Sequence, residues 1–189
     1  MEQKALLVDL NEYLNNKGVA WETLNINASL EHTGFSLPGE LLPNNQKVIL
    51  NGIPFKFPKT DSKSYDHIAC EEQMIIIESK EKYRELNILG FSTRGNYSHN
   101  LLVKYKDKKM GEKIQFGLSG WTALARYGQL FFNESIGITI PFHRNKGIKN
   151  EYLSGIWIQT IYLNSAYLLE SIQLPDNPYM HVFGITLCK

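Results

Sequence analysis

Aromatic and polar side chains in two short segments are of the types that sugar-binding sites use. Trp121 ends the polar, glycine-flanked segment 117–121, and His143 and Arg144 stand side by side in a polar segment that ends at Gly147. The apolar C–H face of a pyranose stacks on a Trp ring, while its hydroxyls need paired donors and acceptors such as His and Arg. We therefore predict that Trp121, His143 and Arg144 form one ligand-binding rim.

The same residues also fit a structural role, and the sequence leaves that alternative open. In this interpretation Trp121 closes the open end of a sandwich, and His143 and Arg144 fix a loop through hydrogen bonds to the backbone. We assign Asp66 and Arg94 to the rim as supporting polar contacts. The carboxylate of Asp66 could equally satisfy the amides of a nearby loop.

Other kinds of site find little support in the sequence. Zinc needs three or four clustered ligands, and the five histidines show no pair at ligand spacing. Glycosidic hydrolysis needs two carboxylates a few ångströms apart, and no pattern places two together. Phosphate-binding loops, dinucleotide fingerprints and nucleophile elbows do not occur. We expect no catalytic residues and no cofactor, except that a structural calcium ion stays open because such sites leave little trace in sequence.

Length and composition indicate one ordinary globular domain over residues 1–189. The chain has 20 Lys and Arg against 19 Asp and Glu, a formal net charge of +1, and 43% hydrophobic residues. This balance argues against nucleic acid or an anionic membrane as a partner, and the hydrophobic content argues against disorder. The aromatic content is high, with 10 Tyr, 9 Phe and 3 Trp. Aromatic residues favour strands and also form binding surfaces, so this number supports both a β-fold and a ligand site.

The secondary structure that must position the candidate site residues is mainly β-strand, because strand patterns are frequent in the sequence and helical periodicity is scarce. Short helices are predicted only within 8–15 and 121–132. The predicted strands are segments of alternating or β-branched residues at 47–51, 74–78, 85–90, 100–105, 113–117, 136–140, 155–162, 171–175 and 181–187. Many short strands without alternating helices indicate an antiparallel sandwich or barrel.

Several local predictions follow from residue type. The continuous apolar run 74–77 predicts a strand that is buried on both faces or lies in a sandwich core. Segment 106–111 is expected to form a hairpin tip, and residues 176–178 a turn. Trp157 alternates with isoleucines and is expected in the core, and Cys70 is expected to be a small buried residue.

Local strings in a fixed order resemble one family over roughly residues 8–187. Examples are Gly34-Phe-Ser-Leu-Pro-Gly-Glu-Leu-Leu-Pro43 and Asn51-Gly-Ile-Pro-Phe-Lys-Phe-Pro58. Further strings lie at 8–10, 15–18, 65–70, 86–95, 118–121, 143–144 and 174–187. Together they resemble the galactose-binding-like β-sandwich module that bacteria append to glycoside hydrolases. The resemblance implies an all-β, antiparallel jelly-roll sandwich that is non-catalytic and binds carbohydrate.

The functional expectation is thus a non-catalytic carbohydrate-binding module. Two alternatives remain: a homo-oligomeric interaction protein without sugar binding, and a small hydrolase or lyase that uses His143 and a carboxylate. The N-terminus carries no basic region followed by a long apolar stretch, so we expect no signal peptide and a cytoplasmic location.

Overall fold

The computed structural model describes residues 4–106, 108 and 110–189, and these form a nearly all-β structure. The strands are β1 (Ala5–Leu7), β2 (Val19–Ala20), β3 (Phe35–Pro38), β4 (Lys47–Leu50), β5 (Ile53–Lys56), β6 (Ile68–Glu71), β7 (Met74–Ile76), β8 (Glu85–Ser92), β9 (Tyr97–Tyr105), β10 (Glu112–Leu118), β11 (Ser135–Ile140), β12 (His143–Asn145), β13 (Ile148–Asn150), β14 (Ser154–Tyr162), β15 (Leu169–Gln173) and β16 (Asp176–Cys188). The helices in this part of the chain are α1 (Ala123–Tyr127) and two 3₁₀ turns, Asn11–Tyr13 and Gly39–Leu41.

A central antiparallel sheet is buried on both faces. Its order is β1-β16-β8-β14-β11, and β6 also pairs with β16. Because successive side chains of a strand point to opposite faces, Leu86 and Ile88 of β8 enter one core cluster, whereas Leu89 and Phe91 enter another. Strand β8 is therefore buried on both faces.

One face of the central sheet packs against a second antiparallel sheet in the order β10-β9-β15-β7. Alternate residues of β9, Leu101, Val103 and Tyr105, join the core between these two sheets. The two sheets form the β-sandwich, which confirms the predicted fold class.

Two smaller sheets cover the other face of the central sheet. They are the β4–β5 hairpin and a sheet in the order β13-β12-β3-β2, in which the short β2–β3 pair is parallel. Asn51 and Gly52 close the hairpin with φ angles of 49° and 78°, the left-handed region that a tight two-residue hairpin turn requires. Trp157 is fully buried in this second core, as predicted.

Most local predictions agree with the structure. Strands occupy each predicted segment, a helix lies within 121–132, and the helical turn predicted within 8–15 is a single 3₁₀ turn. Cys70 is fully buried and free, as is Cys188. None of the described helices is long and apolar enough to cross a membrane. The predicted hairpin tip at 106–111 lies partly outside the described residues, because 107 and 109 are not among them.

One alternative for 74–77 and one turn prediction are wrong. Strand β7 is not buried on both faces, because it is the edge strand of the second sheet: Met74 and Ile76 are 41% and 51% exposed. The other alternative, a strand in the sandwich core, agrees with Ile75, which is buried in the core between the two sheets. Residues 176–178 do not form a turn. They begin β16 and pair with β6, and a register shift between Asn177 and His181 accommodates Pro178, which has no amide to donate.

Candidate functional site

A cavity of about 550 Å³ opens where β8 ends, between α1 and the β12–β13 hairpin. Its lining is mainly apolar and aromatic, with a few polar groups. The lining residues are Leu30, Glu31, Thr33, Phe35, Thr93, Arg94, Trp121, Thr122, Arg126, His143, Asn150 and Tyr152. The structure thus brings together three of the five predicted site residues: Trp121, His143 and Arg94.

Trp121 is held at the end of the central sheet by its backbone. Its amide donates to the carbonyl of Ser92 at 2.8 Å, and its carbonyl accepts from the amide of Gly155 at 2.8 Å. The preceding residue, Gly120, accepts from the indole N–H of Trp157 at 3.1 Å. These bonds hold the backbone of the segment at the end of the sheet, and the Trp121 ring forms part of the cavity wall.

Aromatic rings surround Trp121 on the cavity side. The ring centroids of Phe35 and His143 lie 5.9 Å and 4.7 Å from that of Trp121. The ring of Tyr152 lies 6.4 Å from that of His143 in an edge-on arrangement. Trp121 is only 9% exposed, whereas Tyr152 is 40% exposed and contributes the accessible ring of the rim.

His143 is almost fully buried but incompletely hydrogen-bonded. It lies in strand β12, not in a loop as its polar sequence suggested, and pairs with Asn150 of β13. The side-chain amide of Asn150 lies 3.1 Å from Nε2, while Nδ1 has no hydrogen-bond partner. Burial lowers the pKa of His143, and the main chain of Tyr152 acts in the opposite direction. The side chain is therefore neutral at pH 7.

Arg144 does not lie on the cavity, which corrects the predicted rim. It follows His143 in a strand, so its side chain points to the opposite face. Its Nη2 donates to the carboxylates of Glu22 at 3.0 Å and Glu40 at 3.2 Å. Arg144 links β12 to the N-terminal segments and helps position the strand that carries His143.

Arg94 is at the cavity edge, and an acidic residue holds it there. Its Nε donates to the carboxylate of Glu31, and its guanidinium lies 4.9 Å from the ring centre of Tyr179. The side chain is 51% exposed. Arg94 itself adopts a positive φ of 58° in the turn that follows β8.

Asp66 is fully buried and outside the cavity lining, so the prediction that it contacts a ligand is corrected. Its Oδ1 accepts from the amide of Gly18 at 2.9 Å, and its Oδ2 accepts from that of Val19 at 3.0 Å. Lys17 Nζ and His67 Nδ1 lie at 2.6 Å and 2.8 Å. The four acceptor positions of the carboxylate are thereby filled.

The ionised form of Asp66 is favoured in this environment. Burial by itself raises the pKa of a carboxyl group, but the hydrogen bond from His67 and the charge of Lys17 outweigh it, and the pKa of Asp66 is lowered. The alternative that this carboxylate satisfies loop amides therefore agrees with the geometry.

A buried histidine pair connects Asp66 to the cavity wall, and sequence reasoning missed it. His67 Nε2 lies 3.0 Å from His181 Nδ1, and His181 Nε2 lies 3.2 Å from Thr93 Oγ1. Both histidines are 0% exposed, and Thr93 lines the cavity. The two histidines are 114 residues apart, so their spacing in the sequence carries no signal.

Glu31, Arg126 and Thr93 are among the lining residues that were not predicted from the sequence. Glu31 is the single carboxylate that lines the cavity in the part of the chain that the structure describes. Within residues 4–106, 108 and 110–189, no group of three His, Cys, Asp or Glu side chains could hold a metal ion. The structural calcium ion remains a prediction.

Fold and cavity together define an antiparallel β-sandwich domain that carries one aromatic-lined cavity at the end of its central sheet. Residues 3–189 match the family described as the AziU2-like beta-sandwich domain. The chain therefore belongs to this family. Comparison with curated proteins finds no match.

Proposed function

We propose that this protein is a non-catalytic binding domain whose cavity holds a carbohydrate ring. The supporting observation is the convergence of Trp121, Tyr152 and His143 on one cavity, with a buried ring nitrogen of His143 left without a partner. The galactose-binding-like assignment and the association with carbohydrate-degrading enzymes belong to this proposal.

Size and surface chemistry of the cavity fit one sugar ring. Small-molecule sites typically span about 300–1,000 Å³ and combine apolar walls with a few directed polar groups. The cavity volume of about 550 Å³ lies within this range. Tyr152 supplies an accessible aromatic face, while Thr93, Asn150 and His143 offer hydrogen-bonding groups.

The polar groups favour binding over glycosidic hydrolysis. Hydrolysis requires a pair of carboxylates on either side of the scissile bond. Among the described lining residues Glu31 is the only carboxylate, and Arg94 is bound to it. We therefore propose recognition, not bond cleavage, for this cavity.

Calorimetric titration with a panel of neutral and acidic methyl glycosides and short oligosaccharides tests the proposal. Tyr152→Ala should weaken any detected affinity about tenfold, because it removes the accessible ring of the rim. Tyr162→Ala is the matched control, since Tyr162 is 76% exposed at the end of β14 and outside the cavity lining. Binding that is equally weakened by both variants, or no binding at all, would contradict the proposal.

A second candidate function, self-association, is favoured by the edge strand β7. An unpaired edge exposes backbone donors and acceptors that can pair with another strand. Strand β7 also exposes Met74 and Ile76, at 41% and 51%. Light scattering over a range of concentrations tests this candidate: a dimer that Ile76→Lys converts to monomer supports it, and a concentration-independent monomer mass excludes it.

A further inference from the structure

The cavity carries more positive than negative charge. Arg94 and Arg126 both line it, and Glu31 is the single carboxylate among the described lining residues. Glu31 pairs with Arg94. Arg126 has no carboxylate within 4.0 Å among the described residues, and its guanidinium lies 5.6 Å from the ring centre of its neighbour Tyr127. Among the residues that the structure describes, one positive charge at the cavity therefore has no counterpart.

His143 lines this cavity and carries a buried ring nitrogen without a hydrogen-bond partner. The amide group of Asn150 donates to Nε2, so Nε2 carries the lone pair and the ring proton of the neutral side chain is on Nδ1. Nδ1 has no partner in the described structure, although His143 is only 3% exposed. A buried donor without an acceptor is unfavourable, and an acceptor atom on a ligand would satisfy it.

Thr93 contributes a hydrogen-bond acceptor to the cavity. Its hydroxyl oxygen lies 3.2 Å from His181 Nε2 and 3.4 Å from the carbonyl oxygen of Tyr179. The hydroxyl oxygen has two lone pairs, and these two contacts use at most one of them, whichever way the bond with His181 runs. A remaining lone pair can accept a hydrogen bond from a ligand.

We propose that the ligand is an acidic sugar of the uronic acid class, whose carboxylate accepts from His143 Nδ1–H near Arg126 and whose ring hydroxyl donates to Thr93. This inference rests on the proposed carbohydrate-binding function and names the substrate class. The single unmatched positive charge corresponds to the single negative charge of a carboxylate. A sugar phosphate carries nearly two charges, and a mainly apolar cavity with one free cation matches it less well.

Calorimetric titration with matched methyl glycosides tests the inference on the full chain. Methyl glucuronide and methyl galacturonide are compared with methyl glucoside and methyl galactoside at pH 7.5 and low ionic strength. We expect the uronides to bind at least about tenfold more tightly than the corresponding neutral sugars, because a charge-assisted hydrogen bond is about twice as strong as a neutral one.

Arg126→Gln removes the unmatched charge without disturbing the core, because Arg126 is exposed. We expect it to weaken uronide binding about fivefold and to weaken the binding of neutral sugars less. Arg84→Gln is the matched control: Arg84 is also exposed, but it precedes β8 at the end opposite to the cavity. Equal losses in both variants would show only a change in overall charge and would overturn the proposed contact.

Two substitutions of His143 test whether uronide binding depends on the Nδ1–H donor or on the general shape of the side chain. In His143→Asn the amide nitrogen takes the position of Nδ1, so a donor to the cavity remains. In His143→Gln the amide takes the position of Nε2, so the contact with Asn150 is retained and the donor is lost. We expect the Asn variant to keep most of the preference for uronides and the Gln variant to lose it, with thermal melts confirming that both fold.

The outcomes distinguish this inference from the function on which it rests. Neutral sugars that bind as tightly as uronides would overturn the acidic ligand and leave carbohydrate binding standing. The absence of binding by either class would overturn both. A preference for uronides that both His143 variants retain would overturn the role assigned to Nδ1.

Discussion

His143 and His181 lie in similar surroundings but differ in their hydrogen bonds. Both are buried, and both have aromatic neighbours: the ring of His143 lies 4.7 Å from Trp121, and that of His181 lies 5.2 Å from Phe91. Burial lowers the pKa of both side chains. Both nitrogens of His181 have partners, in His67 and Thr93, whereas Nδ1 of His143 has none.

This difference separates a structural polar cluster from a candidate binding group. A continuous series of hydrogen bonds joins Lys17, Asp66, His67, His181 and Thr93. This network connects the N-terminal segment to the end of the central sheet. A buried polar atom without a partner costs stability and calls for an explanation. For His143 the explanation is the adjoining cavity, because a bound ligand can supply the missing hydrogen-bond acceptor.

Removal of the charge at the centre of the network should have the largest effect on stability. Asp66→Asn should lower the free energy of unfolding by about 3 kcal/mol, because it leaves Lys17 without its carboxylate and replaces an acceptor with a donor. Urea denaturation followed by fluorescence measures this change. Asp176→Asn is the control, because Asp176 is exposed at the start of β16 and should change stability by less than about 0.5 kcal/mol. Equal effects would contradict the structural role of Asp66.

His181→Gln should have the next largest effect, a loss of about 2 kcal/mol, because it disrupts the bonds to His67 and Thr93. It should also change the dependence of stability on pH. Burial, with the charge of His67 as a smaller influence, holds the pKa of His181 well below the 6.5 of an unperturbed side chain. The unfolded chain therefore binds a proton near pH 6 that the folded chain does not, so stability is full above pH 6.5 and falls as the pH decreases.

Thermal melts between pH 5 and pH 8 measure this dependence. The melting temperature of the unmodified protein should fall below pH 6.5, and the fall should be smaller in His181→Gln. His143→Asn is the comparison, because burial also lowers the pKa of His143, so His143 contributes in the same direction. The pKa of Asp66 is lowered from the ordinary carboxyl range, so Asp66 does not titrate within the pH range of these melts. An unchanged slope in the His181 variant would show that His181 is not the group that titrates.

His143→Gln should cost less than about 1 kcal/mol of folding free energy, since it keeps the bond to Asn150 and removes a donor that had no partner. Its main effect should appear in binding. Urea denaturation and sugar titration of the same preparation measure the two quantities. A loss of stability as large as that of His181→Gln would mean that His143 is held by the structure as tightly as the buried pair.

Arg126→Gln should have the smallest effect, within about 0.5 kcal/mol in stability, because an exposed side chain away from the core contributes little to folding. Its largest expected consequence is on the binding of acidic ligands. Urea denaturation checks the prediction, and a loss above 1 kcal/mol would assign Arg126 to the fold.

Much of the fold could be predicted because strand patterns and turn residues are local. The alternation in 155–162 and the Asn51-Gly52 turn each follow from the residues themselves. The exposure of β7 could not be predicted, since the same apolar sequence pattern is compatible with an edge strand and with a central strand of a sheet. Arg144 was misplaced for a related reason: only when β12 is known to be a strand does it follow that His143 and Arg144 face opposite sides.

By itself the sequence determined the all-β class and the types of residues available for ligand contact, because these depend on composition and short-range pattern. The tertiary structure decided which of these residues meet. It placed Trp121, His143 and Arg94 on one cavity and buried Asp66 in a network with His67 and His181. Contacts between distant residues depend on strand order and register, which short-range pattern does not encode. Only the tertiary structure could therefore show that both ring nitrogens of His181 have hydrogen-bond partners and that Nδ1 of His143 has none.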